Sequence, residues 1–315
     1  PVGVQVRNAR NLEAIALVAQ ATDEENGDPH TSVRSIATQL GMSKSSVHTI
    51  LRKDLNMRPW KIWQVQKLSV ADKEMRVAAC DEFFDLVHEA ERNPQFPGDR
   101  FVNRVIWSDE CTISNEGHFN GHNFHHWAQE NPHCTAETHI QGSWKINVWA
   151  GVLHNKIIGP HFFEENENLN QFNYSHLLRH QLPEMLEDTP LNILRSCWFM
   201  QDGAAPHTSR RAREILNSDQ HYGWQNKWIG KYSNVQTWPP RSPDLTPCDF
   251  WLWGTLKSRL FPVKGARYEN REDLIAAVER ECRAISEEEI TRLWECMLRR
   301  FGACLAADGG HFEHL

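Results

Sequence analysis

The sequence predicts an α/β protein, a mixed sheet flanked by helices, preceded by a small all-α head. Three observations carry this expectation. Apolar runs ending in acids, separated by amphipathic stretches, run through residues 104–217. Two short helical patterns around a glycine occupy residues 32–53. Charge divides the chain the same way: residues 30–76 hold nine Lys/Arg against three Asp/Glu, while the net charge of the whole is −7. A basic head on an acidic body fits a nucleic-acid-docking module joined to machinery that uses carboxylates, although a solvated basic face would carry the same charge.

Length and composition set the frame. At 315 residues the chain has room for one large domain and a smaller one. Hydrophobic content of 40% and charged content of 24% are those of a globular protein. No apolar run approaches the ~18 residues of a membrane span. The stretch PVGVQVRNARNLEAIALVAQ lacks the layout of a signal peptide. Because the chain begins at Pro1 rather than Met, a further segment upstream is expected. Eight cysteines are scattered with no CxxC pair, against a zinc ribbon or a secreted disulfide framework and in favour of reduced thiols.

In the head, Val33, Ile36, Ala37 and Leu40 fall on one face of an amphipathic helix. Gly41 suits a positive-φ turn and Ser43 can N-cap the next helix. That second helix has Val47, Ile50 and Leu51 on its apolar stripe. Lys44, Ser45, His48, Thr49 and Arg52, with Lys53 beside them, are candidates for phosphate or base-edge contacts. Two such helices around a short Gly turn make a helix-turn-helix, or a helical hairpin that merely packs. Pro59 breaks the helix, Lys61 is a further phosphate candidate, and a helix is expected from about Ser69 to Glu91. The loop NPQFPGDR closes it.

In the body, RVIWSDE (104–110) reads as a buried strand delivering acids at its end. WKINVWAGVL (144–153) and KIIGPHFFE (156–164) continue an antiparallel meander. Helix follows at 170–188, with a possible break near Pro183, and CWFMQDGA (197–204) is another apolar run ending in an acid. A helix over 208–217 can be capped by Thr208 or Ser209. In WPPRSPDLTPCDFWLWGTLKSRLF (238–261), Pro247 suits a first helical turn, with Asp249 near the N-terminus and Phe250, Trp253, Leu256 and Leu260 on a stripe. Two helical periods close the chain at 271–304.

Acids at the ends of buried elements have a chemical reading. Phosphodiester cleavage needs an activated water and neutralised charge at the leaving oxygen, which two divalent ions roughly 3.5–4 Å apart provide. Hard ions take oxygen ligands, so a few Asp side chains suffice. Any one of these Asp residues by itself also fits a cap or turn.

WSDE, MQDGAAPHTSRRAREIL and WPPRSPDLTPCDFWLWG together resemble the mariner-type transposases of the DDE/DDD superfamily, over most of the chain from about residue 30. The last motif is most similar to arthropod elements reading PDLTPxDFxLWG. The resemblance implies a helix-turn-helix DNA-binding region over 1–68, a helical linker over 69–100, and an RNase H-like catalytic domain with C-terminal helices over 101–315. It implies Asp109, Asp202 and Asp249 as the catalytic and metal-holding residues, with Mg²⁺ as cofactor and Mn²⁺ as substitute. It further implies cut-and-paste transposition of double-stranded DNA in the nucleus, at a TA target, by a homodimer, with no membrane and no small-molecule substrate. In the same pattern Asp244 is a capping or turn residue. Alternation along the strand turns Glu110 to the opposite face, so it is left out. His207 either approaches the acids or caps a helix start. Arg210, Arg211, Arg213, Lys227, Lys231 and Arg241 flank the acids in sequence, and a few of them are candidates for holding phosphates.

Three departures stand out. The 46 residues between Asp202 and Asp249 exceed the spacing of typical mariner elements, through the stretch 220–236. One helix-turn-helix is found where the family resembles a tandem pair, so residues 1–20 are expected to be the remnant of a missing unit. The His/Asn-rich stretch 111–133 is the expected dimer contact, and its irregular spacing argues against zinc. The rival readings are a catalytically silent DNA-binding descendant and a nuclease of the RNase H kind.

Overall fold

The structure, a computed structural model, describes residues 12–22, 33–57, 66–91, 101–116, 144–164, 167–218, 224–262 and 266–313. Two compact units divide at Gln64/Val65. Lys61 and the His/Asn-rich stretch from residue 117 onwards lie outside the described residues.

The first unit contains α1 (Leu12–Ala21), α2 (Val33–Gln39) and α3 (Lys44–Thr49), the last running on through a π-helical turn, Ile50–Asp54. Gly41 takes φ +64°, where a side chain would be strained, and lets α2 turn into α3. Ser43 accepts the Ser46 N–H as N-cap. Val18, Ile36, Ala37, Val47 and Ile50 form one core. Helix α1 therefore belongs to the same core as α2 and α3, a correction to its reading as the remnant of a separate unit. Val18 is fully buried in that core.

The second unit is built on a five-stranded sheet of order β3-β2-β1-β4-β5. Strands β1 (Val105–Ser114), β2 (Lys145–Leu153) and β3 (Lys156–Phe162) form the antiparallel meander. Strands β4 (Trp198–Met200) and β5 (Trp228–Ile229) add in parallel on the other side of β1. Helix α4 (Val70–Glu91) precedes the sheet; α5 (Gln171–His176), α6 (Leu182–Met185) and α7 (Leu191–Ser196) lie between β3 and β4, and α8 (Arg210–Leu216) between β4 and β5. A π-helical turn, Cys248–Leu252, leads into α9 (Trp253–Leu260), followed by α10 (Arg271–Arg283) and α11 (Glu287–Ala306).

Period-two alternation splits the sheet into two apolar faces. Val105 and Trp107 of β1 with Val148 and Ala150 of β2 pack against α4, α9, α10 and α11. Ile106 and Trp149 face the other way, against α5 to α8. Helix α4, expected as a linker, puts Cys80, Phe83 and Val87 into the first of these cores. Asp244, expected as a cap, does more. Its carboxylate accepts both arms of the fully buried Arg76 guanidinium of α4 at 2.7 and 2.6 Å, while Arg76 Nε donates to the Gly309 carbonyl. This pair ties α4 to the segment before α9 and to the C-terminal turn.

Candidate active site

The strand register brings the first two acids level. Trp107 pairs with Met200 across the parallel β1–β4 ladder, and Asp109 and Asp202 stand two residues beyond each. The third arrives from the core side. Cys248 is buried, its thiol donating to the Trp107 carbonyl at 3.2 Å, which seats the π-helical turn under β1 and brings Asp249 beside Asp109, midway along that strand. Trp253, one turn further on, donates its indole N–H to Asp109 Oδ2 at 2.7 Å. Its place on the apolar stripe was legible in the sequence. Its hold on the first acid was not.

The electrostatics follow from crowding. Burial, then the charges of Asp249 and Glu110, raise the Asp109 carboxyl well above the usual range, against the Trp253 hydrogen bond. Asp249 is raised to about 6 by burial and by the charge of Asp202, with a hydrogen bond to Asp109 and the cation of Lys257 pulling the other way. Lys257, on α9, was not singled out from the sequence.

Asp202 is treated differently. Burial alone would raise it, but the hydrogen bond and charge of His207 outweigh that and hold it low. His207 Nδ1 donates to Asp202 Oδ1 at 2.5 Å, and the Ala204 N–H donates to the same oxygen at 2.9 Å. Oδ2 has no hydrogen bond among the described residues. The other imidazole nitrogen of His207 donates to Glu110 Oε1 at 3.2 Å. Burial would lower the imidazole, yet Glu110 and Asp202 together raise it to about 10, so both nitrogens carry protons at neutral pH. The Tyr174 ring packs tilted against the imidazole at 4.2 Å between centroids, and its hydroxyl donates to Gln201, whose amide donates to the His207 carbonyl. In the QDGAAPH segment, Gln201 and His207 therefore anchor the loop at both ends around Asp202.

This corrects the omission of Glu110. Alternation does turn it to the opposite sheet face, where Ile106 packs, but that is the face on which α8 and its loop lie. Strand parity and the His207 spacing, taken together, would have found the contact. His207 is a buried bridge between two carboxylates, not a helix cap; Ser209 caps α8.

Of the flanking cations, Arg210 pairs with Glu214, Arg241 with Asp72, and Lys227 donates to the Arg195 carbonyl. Arg211 lies over Phe172, and Arg213 and Lys231 lie beside Tyr232. In the head, Lys44, Ser45, His48, Arg52 and Lys53 are exposed along α3 and its continuation. Thr49 is only partly exposed and its hydroxyl is spent on the Ser45 carbonyl at 2.7 Å.

A cluster of mutually repelling carboxylates is the donor chemistry of a hard divalent cation. Among the described residues no three His, Cys, Asp or Glu side chains converge tightly enough to enclose an ion as they stand.

No family model matches the chain. It is 21% identical over 296 residues to the human histone-lysine N-methyltransferase SETMAR, covering 91% of this chain and 38% of that protein. It is 31% identical over 137 residues to the transposable element Tcb1 transposase of Caenorhabditis briggsae, covering 42% and 44% respectively. The chain thus spans less than half the length of either. Among solved structures, the Mos1 transposase paired-end complex with left transposon end matches with a TM-score of 0.72 at 21% identity, over 95% of this chain and 80% of that one. The Mos1 mariner paired-end complex with Mn matches at 0.73 and 19%, over 99% and 82%. The likeness establishes the fold: an α/β RNase H-like body, a mixed sheet flanked by helices, behind a helical head.

Proposed function

We propose that the chain is a mariner-type transposase that cuts double-stranded DNA at transposon ends and joins the freed 3′-hydroxyl to target DNA. One observation carries the reading. Asp109 and Asp249 lie close enough for their charges to repel when both are ionised, and Asp202, just past the end of β4, stands level with Asp109 of β1. Carboxylates crowded in this way lose stability unless a cation neutralises them. The matched Mos1 structures include complexes with a transposon end, with Mn and with Mg. Bringing that DNA, pairing and metal to this chain is part of the proposal, as are homodimer assembly and action in the nucleus. The PDLTPCDFWLWG motif and the 46-residue spacing support the finer reading of kinship with arthropod elements.

Asp109, Asp202 and Asp249 would hold Mg²⁺ or, in its place, Mn²⁺. When bound, the ions supply an activated water and positive charge at the leaving oxygen. The chain's residues do the positioning. Trp253 fixes the orientation of Asp109, and His207 keeps Asp202 ionised by holding its Oδ1. Lys44, Ser45, His48, Thr49, Arg52, Lys53 and Lys61 would dock duplex DNA through the head.

The second reading, a catalytically silent DNA-binding protein, draws on the lack of three converged acids among the described residues. Incubating a labelled duplex with Mg²⁺ or Mn²⁺ separates the two. Metal-dependent nicking that disappears in Asp202→Asn supports the transposase; binding without nicking supports the silent protein.

A further inference from the structure

We propose that Arg213, Lys231 and Tyr232 form a subsite for one unpaired nucleotide of the DNA strand at the acids, its base on the Tyr232 ring and its phosphate between the two cations. The proposal rests on reading the acids as a DNA-cutting centre.

Topology sets the position. Met200 of β4 pairs with Trp107 of β1 on one side and with Ile229 of β5 on the other. Two residues beyond these three stand Asp202, Asp109 and Lys231. Lys231 therefore emerges at the same end of the sheet as the acids, one strand past Asp202 and away from Asp109. Its stem lies 3.8 Å from where a Cβ on Gly203 would sit, directly against the residue that follows Asp202. Lys231 and Tyr232 belong to the stretch that lengthens the Asp202–Asp249 spacing.

Lys231 and Tyr232 are open for a ligand, and Arg213, half-buried, borders them. Tyr232 remains 49% exposed, although Arg213 and Lys231 lie 4.9 and 5.4 Å from its ring centroid. Arg213 Nε is shut from solvent and has no hydrogen-bond partner among the described residues. Neither cation has an acidic partner among those residues, whereas Arg210 and Arg241 do. An aromatic face beside cations suits a single-stranded nucleotide, because every base has a face to stack and every link a phosphate to pair. A base within a duplex has both faces covered, so the occupant is unpaired. Next to repelling acids, these cations also offset the cost of bringing in a phosphate.

The test compares dissociation constants of the full chain, with Ca²⁺ present, for a short labelled duplex with blunt ends and the same duplex carrying a 3′ overhang. Taking the ratio cancels what the head contributes to both. Wild type is expected to prefer the overhang by about tenfold, the lower part of the range for one base on one aromatic ring. Tyr232→Ala should abolish the preference, Tyr232→Trp should restore it, and Lys231→Ala should reduce it. Should the alanine variant fail to fold, Tyr232→Leu keeps bulk without an aromatic face and is expected to give the same loss. No preference in wild type, or one unchanged in Tyr232→Ala or Tyr232→Leu, overturns the subsite. Cleavage of the blunt duplex by wild type is scored separately. Its absence, with a Tyr232-dependent preference retained, sinks the reading of the acids and leaves the nucleotide subsite standing.

Discussion

Replacing Asp249 by Asn should stabilise the metal-free protein, because the acid is held in a place that penalises its charge. Its carboxyl is raised from 3.8 to about 6. In full, that shift is worth about 3 kcal/mol at ~1.4 kcal/mol per unit. Asp249 is crowded by neighbouring atoms yet keeps part of its surface in solvent, which screens much of the shift and leaves about 1 kcal/mol. For a unit of this size, that is a rise of roughly 2–4 °C in Tm. The pH dependence has a definite sign. The folded state holds this proton more tightly than the unfolded state, so the penalty is absent below pH 3.8 and complete above about 6. Scanning calorimetry of wild type and Asp249→Asn should therefore give coincident transitions at the acid end and a more stable variant at neutral pH. Added Mg²⁺ should raise the wild-type Tm more than that of the variant. A variant less stable than wild type at neutral pH would refute the argument that these acids repel.

Other expectations follow from the same structure. Arg76→Ala leaves Asp244 buried without its partner and should cost about 3–5 kcal/mol, read by denaturant unfolding, whereas an apolar double replacement of Arg76 and Asp244 should recover much of it. The His207 bridge contributes stability that is complete below the ordinary imidazole value of 6.5 and is lost as pH rises through about 10. The stability gap between wild type and His207→Ala should thus shrink between neutral and strongly alkaline pH; a gap that widens would contradict the bridge. Arg52→Ala should weaken duplex binding for every sequence and lower the slope of log affinity against log salt by about 1, measured by anisotropy titration.

Much of this molecule was legible locally. Runs such as RVIWSDE and CWFMQDGA announce buried strands, although β1 runs on past Asp109 and Glu110 to Ser114 instead of ending at them, and the helix-turn-helix shows in the turn at Gly41 and the cap at Ser43. What escaped is non-local or short. Arg76 and Asp244 are 168 residues apart, and no periodicity links a buried arginine on α4 to an acid after a proline run. Glu110 and His207, 97 residues apart, meet only because β4 lies beside β1. Strand β5 has two residues, too few for alternation to register, yet it carries Lys231 and Tyr232 to the end of the sheet. Trp253 was visible as an apolar position; that its indole N–H holds Asp109 depends on how the π-helical turn is seated.

The most direct test of the central claim is cleavage of labelled duplex DNA by the full chain with Mg²⁺ or Mn²⁺, wild type beside Asp202→Asn. The account predicts nicking that requires the metal and vanishes with the single Asp202 oxygen-to-nitrogen change, while DNA binding persists. Nicking of equal strength in Asp202→Asn, or none in wild type that binds the duplex, would contradict it.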